Sequence, residues 1–559
     1  MDQLASFLGF GSSMRPGDFF SSCDPASIPY PTNLPNADFV SVEANLVTNY
    51  TVEIPPGLEN SHVAPYSPLP VLNFCNVTLV HTHPGLGDKI LTQVWLPLGD
   101  GDGNGAASGG SPSWNGRLQG TGGGGYFAGF VPLTQAHGRG AHWGDPSWAL
   151  ASPGNLDWTA VHNFASVALH EAAVLGRSVT EAFYRQKVRR AYFTGCSTGG
   201  RQAAMLAQRW PEDYDGYLAG APALRCHEIA AALAPQAVMA VRGGSAPPPC
   251  EFRALRRLAI EVCDGLDGVT DGLISEPERC FEAFDPRTRV GESFVCEETG
   301  QTLHITAGAA EVAQLAWEGL RDDTDAESPV IWGGGVGHQA PITGTPTTWA
   351  TTTCDYESKG NNDKPPKCQP APWPFSAAWV QGFLYKNMSR PLDITAPEFL
   401  QSGTREVVRL VRQSRQWYTS ALGTFDTDLS DLRERGGKLL MWHGMADEAI
   451  PLGNSREYYD AVAARDPGRV AEYLRYFEAP GISHCGSDGE GNGLFPVRML
   501  DVLRAWVEEG KAPGVMPAVS KATHQETGIR ATRNLCPYPQ KAKYDGVGDI
   551  SDAASFKCV

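Results

Sequence analysis

The run Gly195-Cys196-Ser197-Thr198-Gly199-Gly200-Arg201-Gln202 is the segment that most limits what this chain can fold into. It follows a β-prone stretch, Lys187 to Thr194, and precedes a helix-prone one, Ala203 to Arg209. A serine between strand and helix at Gly-x-Ser-x-Gly spacing matches a nucleophile elbow, in which small neighbours tolerate a strained turn that lifts the serine Oγ clear of the backbone. The helix that follows would aim backbone N–H groups at an oxyanion formed beside that oxygen. A plain Gly/Ser turn could carry the same five residues, and the flanking strand and helix are what favour the elbow.

The elements on either side fit an α/β order. Arg117-Leu118-Gln119-Gly120 leads into Thr121-Gly122-Gly123-Gly124-Gly125-Tyr126, a glycine loop that lets backbone approach a ligand closely, as the second half of an oxyanion hole requires. No Gly-Lys-Ser/Thr follows, which argues against a phosphate loop; a flexible turn is the plainer alternative. Asn163 to Leu175 and Val179 to Arg185 carry apolar residues at helical spacing, so a helix is expected ahead of the elbow strand. Strand, glycine loop, helix, strand, elbow and helix imply a parallel sheet. The pattern resumes at Lys438 to Gly444, a buried-strand run ending just before Met445-Ala446-Asp447, and at Ala471 to Phe477, followed by Gly481-Ile482-Ser483-His484-Cys485. Val497 to Glu508 closes with an amphipathic helix. Ser197, Asp447 and His484 then stand in the chain order of an α/β-hydrolase triad, acid and histidine each on a turn after a strand. A helix cap for the Asp and a satisfied polar role for the His are the plainer readings of either residue alone.

Residues 1 to about 75 are rich in Pro, Asn and Ser, with short β-prone pieces such as Val63 to Val71. They are expected to form an irregular arm, pinned by Cys23 and Cys75. Val77 to His83 alternates like a strand, with Lys89 to Pro97 as its partner. Gly99 to Gly116 is expected to be a mobile connector.

Composition narrows the class. A chain of 559 residues is long for one domain, and its 42% hydrophobic content and 14 Trp can bury a sizeable core. A formal net charge of −17 with no long basic run argues against nucleic acid or anionic membrane as partner. No apolar window reaches the ~18 residues of a membrane span. Thirteen cysteines and sequons at Asn49, Asn76 and Asn387 point to an oxidising, extracellular setting. Met1-Asp2-Gln3-Leu4 lacks the basic and apolar regions of a signal peptide, which leaves secretion without its usual leader in this sequence. An odd cysteine count leaves at least one thiol unpaired within the chain.

After Pro222 the character changes: cysteines cluster, Pro, Gly and Thr rise, and periodicity becomes patchy. We read residues 1–223 as the first part of an α/β-hydrolase core, 224–436 as a large inserted lid domain, and 437–559 as the second part of the core. Within the insertion, Asp264, Asp267 and Asp271 stand at offsets of 0, 3 and 7, separated by glycines that permit sharp turns. With the carbonyls of Val269 and Leu273 they would form an oxygen shell suited to Ca²⁺, and Cys263 and Cys280 would fix the ends of that loop. The spacing is not that of an EF-hand, and an acidic surface turn remains the plainer reading.

Cys196 precedes the proposed nucleophile and Cys485 follows the proposed base. A disulfide holds its Cα atoms roughly 4.4 to 6.8 Å apart, so bonding these two cysteines would bring Ser197 and His484 within reach of one another. The alternative is that each pairs elsewhere.

These residues resemble the tannase and feruloyl esterase family over nearly the whole chain. The likeness rests on Trp114-Asn115-Gly116-Arg117 with the glycines after it, the elbow, Tyr214-Asp215-Gly216 through Gly220-Ala221-Pro222-Ala223, Cys263 to Gly272, Trp442 to Asp447, and Ala479 to Gly486. The resemblance implies a secreted serine esterase with an α/β-hydrolase core, a large lid between elbow and acid, and a structural Ca²⁺ in that lid, held by Asp264, Asp267, Asp271 and the Val269 and Leu273 carbonyls. It also implies the Cys196 to Cys485 bond and pairings of Cys263 with Cys280 and Cys536 with Cys558. Pro247-Pro248-Pro249-Cys250 and Phe294-Val295-Cys296 resemble fungal tannases, which suggests Cys250 with Cys296. Cys354 with Cys368 would be local, leaving Cys226 as the odd thiol.

The expected chemistry is two-step acyl transfer. His484 would take the Ser197 proton and Asp447 would orient His484; Thr198 N–H and one of Gly123 or Gly124 would hold the oxyanion. The substrate implied is a phenolic ester, free or polysaccharide-linked: feruloyl or hydroxycinnamoyl by the first reading, galloyl by the second, a terephthalate monoester by the third. Trp332, Trp373, Phe375, Trp379 and Phe383 are candidates for its pocket, with lid core as the plainer reading. The alternative of another class is a catalytically inactive, Ca²⁺-stabilised binding protein; it requires a substitution in the triad, and none is seen. A lyase or transferase on the same scaffold and a homodimer stay open.

Overall fold

The computed structural model describes residues 23–51, 71–98, 114–129, 144–232, 239, 246–322, 325–329, 334–343, 348–356, 366–402, 404–486, 491–523 and 530–559. All but Val71 of the expected β-prone piece at 63–71, nearly all of the Gly99 to Gly116 connector, and Trp332 lie outside these residues. Contacts divide the chain into two compact units, one of Met1–Glu53, Pro68–Gln119 and His170–Ala191, the other of Ile54–Ser67, Gly120–Leu169 and Tyr192–Val559.

In the first unit, β1 (Asp38–Tyr50), β2 (Leu72–Thr82) and β3 (Ile90–Pro97) form an antiparallel sheet, with Val77 opposite both Ala44 and Val94. The pairing of β2 with β3 is the one expected. The irregular arm is not: residues 38–50 form a 13-residue strand. Its Asn, Ser and Thr hide the alternation, because only one face of β1 is covered and the other is solvated. Cys75, Val77 and Leu79 of β2 and Val94 and Leu96 of β3 pack with Val179, Phe183 and Tyr184 of α1 (Ala168–Tyr184). Cys23 is bonded to Cys75, which ties the segment ahead of β1 to the sheet.

The central sheet has five strands in the order β8-β7-β6-β5-β4, where β4 is Arg117–Thr121, β5 Arg190–Cys196, β6 Gly216–Gly220, β7 Lys438–Gly444 and β8 Leu474–Ala479. The pairs β5 with β6, β6 with β7 and β7 with β8 are all parallel. Strands buried on both faces need continuous apolar runs, and Leu439, Leu440, Met441 and Trp442 are all fully buried. Helix α2 (Thr198–Arg209) follows β5, and α3 (Met499–Glu509) places Leu503 and Trp506 in the same core as Leu440 and Trp442. Between Gly220 and Lys438 the described residues add no strand to this sheet. Residues of this segment fill two further cores, one around Trp317, Trp349 and Phe252 that also takes in Ala449 and Ile450, another around Trp379, Phe383 and Tyr418 that also takes in Tyr126, Val161 and Phe164.

Six disulfides are present among the described residues: Cys23–Cys75, Cys196–Cys485, Cys250–Cys296, Cys263–Cys280, Cys354–Cys368 and Cys536–Cys558. Each is a pairing expected above, and Cys226 is the free thiol. No helix among the described residues is long and apolar enough to cross a membrane.

Candidate active site

Ser197 joins β5 to α2 with φ 63° and ψ −122°, a conformation side chains rarely adopt. The turn is over-determined by backbone bonds. Ser197 N–H donates to the Gly220 carbonyl at 3.0 Å, and the Ser197 carbonyl accepts from Arg201 and Ala223 at 3.0 and 3.1 Å. The glycines are needed by close approach: a Cβ on Gly195 would collide with the Gly199 backbone, and one on Gly200 with the Gly220 carbonyl. Thr198 opens α2, where the first N–H groups have no partner within the helix.

The glycine loop is tied to that turn. Gly122 N–H donates to the Thr194 carbonyl at 2.8 Å, and Thr198 Oγ1 donates to the Gly125 carbonyl at 2.8 Å. Gly123 N–H donates to Gln202 Oε1 at 2.8 Å, while Gln202 Nε2 donates to the Phe127 carbonyl at 3.2 Å. These bonds narrow the expected oxyanion donors. The Gly123 N–H is already spent on Gln202, whereas Gly124 uses its carbonyl to close the turn to Phe127, and a Cβ there would meet no neighbour within 4 Å. Two amides committed this way also weigh against an anion-cradling phosphate loop.

Asp447 and His484 stand on the turns that follow β7 and β8. Met445 N–H donates to the Ala479 carbonyl and Ala446 N–H to that of Ile482, at 2.9 and 3.0 Å, so the two turns hold each other. His484 Nδ1 lies 2.9 Å from Asp447 Oδ2 and 3.1 Å from Oδ1. Asp447 is fully buried, and it also accepts the Ala449 and Ile450 N–H groups at 2.8 Å and stands 3.2 Å from His443 Nε2. Burial alone would raise its pKa. The opposing His484 charge and these hydrogen bonds outweigh burial and hold the carboxyl well below the usual range. For His484 burial favours the neutral ring, yet the Asp447 charge and hydrogen bond, with Glu448 beyond, raise its pKa above the ordinary 6.5. Glu448 also accepts the His484 backbone N–H at 2.9 Å.

The Cys196–Cys485 bond, with Cα atoms 5.9 Å apart, joins the residue before Ser197 to the residue after His484 across 289 positions. Gln202, His443 and Glu448 are the contributors that the sequence alone left without a role. Gln202 lies in the elbow run and His443 and Glu448 flank the acid turn, but only contact assigns them partners.

Of the expected pocket aromatics, Trp373, Trp379 and Phe383 are buried and Phe375 is partly so. Phe375 stacks on Tyr126 at 4.4 Å between centroids, and Tyr126 OH donates to the Phe375 carbonyl, so these rings brace the segment just after the glycine loop.

The acidic loop is held by its own carboxylates. Asp264 accepts the Asp271 and Gly272 N–H groups at 3.0 Å, Asp267 accepts that of Val269 at 2.9 Å, and Asp271 pairs with Arg533 at 3.1 Å. Burial, opposed by Arg533 and reinforced by repulsion from Asp267 and Asp264, pushes the Asp271 carboxyl up to about 6. Burial likewise raises Asp267. Three carboxylates and one guanidinium leave the loop short of positive charge, and an all-oxygen donor set of this kind fits Ca²⁺.

A parallel sheet that raises a serine between strand and helix, and returns a carboxylate-bound histidine at the end of a later strand, is the build of an α/β hydrolase. This one is a carboxylic ester hydrolase. The family model described as tannase and feruloyl esterase matches residues 75–559, and the chain belongs to that family. It is 35% identical to a probable feruloyl esterase of Arthroderma benhamiae, over 96% of this chain and 93% of that protein. It is 26% identical to the tannase of Aspergillus oryzae, over 87% and 85%. Among solved structures, tannin acyl hydrolase from Aspergillus niger superposes with a TM-score of 0.77 at 24% identity, covering 96% of this chain and 94% of that one, which shows the fold.

Proposed function

We propose that this chain is a secreted serine esterase that hydrolyses esters of phenolic aromatic acids, feruloyl and hydroxycinnamoyl esters before galloyl ones. The observation that carries the mechanism is the pair of buried Asp447 with part-buried His484, tied to the elbow by the Cys196–Cys485 bond. His484 takes the Ser197 proton as Oγ attacks the ester carbonyl. Thr198 and Gly124 N–H groups receive the oxyanion, and each such donor is worth about 3 kcal/mol in the transition state. The alcohol leaves with the proton from His484, and water then releases the acid from Ser197 by the same route. The preference for feruloyl esters rests on the greater likeness to the Arthroderma protein, 35% against 26% for the tannase. Initial rates on methyl ferulate, methyl gallate and a terephthalate monoester test it. Ferulate is expected to be cleaved fastest; a faster gallate rate would make the chain a tannase. Turnover of no ester at all would leave an inactive binding protein.

His484 acts as a base only when neutral, so kcat/KM falls as pH drops through its raised pKa. The acid limb is expected above pH 6.5. Asp447→Asn removes the charge that raises it, moving the limb to lower pH, and lowers kcat by about 10⁴-fold. A wild-type limb at or below 6.5 would contradict the Asp447–His484 assignment.

A Ca²⁺ in the lid loop would be held by Asp264, Asp267, Asp271 and the Val269 and Leu273 carbonyls, and its chemistry would be charge neutralisation alone. EGTA is expected to lower the melting temperature, with a loss of about 2–3 kcal/mol at a hundredfold excess over Kd. Asp264→Asn should abolish that response; an unchanged EGTA effect would move the ion elsewhere. Asn49 lies exposed on β1 and is the first candidate for a glycan, whereas the side-chain oxygen of Asn76 is buried.

A further inference from the structure

The face of β2 that packs Cys75, Val77 and Leu79 against α1 continues to His81, and the strand's period of two carries the same face on to His83. There the apolar seam gives way to two imidazoles and a carboxylate. His81 Nε2 lies 3.0 Å from Glu171 Oε2, and His83 Nε2 lies 2.6 Å from Glu171 Oε1, Glu171 standing in the first turn of α1. His83 Nδ1 meets Asp88 Oδ2 at 2.7 Å, and Asp88 is itself fixed by the His83 backbone N–H at 2.8 Å and by Thr82 Oγ1 at 3.2 Å. His81 is fully buried and Glu171 nearly so.

Counting hydrogens exposes a deficit. Two neutral histidines carry two ring N–H groups, yet three ring nitrogens face carboxylate oxygens. One contact therefore needs a further positive centre, a proton or a metal ion. We propose that His81, His83 and Glu171 form a site for a divalent first-row transition metal, Zn²⁺ above all, that clamps α1 to the β1–β3 sheet.

The donor chemistry suits that class. Two imidazole nitrogens and one carboxylate favour zinc or its neighbours over Ca²⁺ or Mg²⁺. The ligand atoms already lie within 4.8 Å of one another. Atoms about 2.0–2.1 Å from a tetrahedral zinc stand about 3.3 Å apart, so the ion enters as the two His–Glu171 contacts, now 3.0 and 2.6 Å, open to that spacing. Asp88 on the outer nitrogen of His83 supplies the orienting bond that metal-bound histidines usually make. His81 Nδ1 has no partner among the described residues, which makes His81 the weaker ligand. The other cluster of similar geometry, Cys250, Cys296 and Glu298, has both sulfurs committed to a disulfide and offers no thiolate.

The test uses the full chain with Ca²⁺ present, stripped of transition metals and titrated with ZnCl₂ by calorimetry and by melting temperature. One equivalent is expected to bind and to raise the melting temperature. Glu171→Gln should weaken that binding at least tenfold, and Asp88→Asn about tenfold. His484→Ala should leave it unchanged, which separates this site from the esterase machinery. Should Glu171→Gln fail to fold, Co²⁺ added to the wild type is expected to give the visible bands of a nitrogen- and oxygen-ligated ion. No zinc binding, no cobalt bands, or binding unchanged in a folded Glu171→Gln would overturn the site and leave the cluster held by a shared proton.

Discussion

Replacing Ser197 with alanine is expected to lower kcat on a phenolic ester by about 10⁵- to 10⁶-fold, with little change in KM or in the folded state. Three backbone bonds hold the turn whatever the side chain, so the loss reports the missing nucleophile and not a collapsed elbow. Stability should move the other way with glycine. At φ 63° and ψ −122° a side chain is strained, and Ser197→Gly relieves that strain for a gain of about 1 kcal/mol while abolishing activity equally. An alanine variant that kept a hundredth of the wild-type rate would sink the nucleophile assignment. A glycine variant less stable than wild type would sink the strain argument.

The second large effect belongs to the Cys196–Cys485 bond. Replacing both cysteines by serine, so that no lone thiol remains, releases a loop of 289 residues in the unfolded chain. In the chain-entropy model that costs roughly 5 to 6 kcal/mol, or about 5 °C in melting temperature if the whole chain melts together. The larger consequence is catalytic. Cys485 has a positive φ of 57°, so the His484 turn is itself a forced conformation, and the disulfide is what anchors it to the elbow. A displacement of about 1 Å in His484 is enough for a 10²-fold loss of kcat, and that is the loss expected. An unchanged kcat in the double variant would show that the bonds from Met445, Ala446 and Glu448 hold the turn unaided.

Local chemistry explains why the elbow, the strand ends that carry Asp447 and His484, and the Cys196–Cys485 bond could be anticipated, whereas the pairings of Cys250, Cys263, Cys354 and Cys536 are legible only through the family resemblance. A Gly-x-Ser-x-Gly turn needs its glycines for reasons confined to a few residues. A cysteine beside each of two reacting residues makes one pairing mechanically sensible. The strand Asp38–Tyr50 was missed because a half-solvated strand need not alternate cleanly. Gln202 could not be assigned because its partners, Gly123 and Phe127, lie more than seventy residues away.

The sequence by itself therefore determined the order of the central elements and marked Ser197, Asp447 and His484 as the candidate nucleophile, acid and base, since each is written in residues adjacent along the chain. Only the tertiary structure decided which loop amide is left open, that His443 and Glu448 brace the acid and the histidine turn, and that His81 and His83 meet Glu171. Those are contacts between distant segments, created when side chains pack and every buried polar group must find a partner. A one-dimensional pattern carries no record of that search.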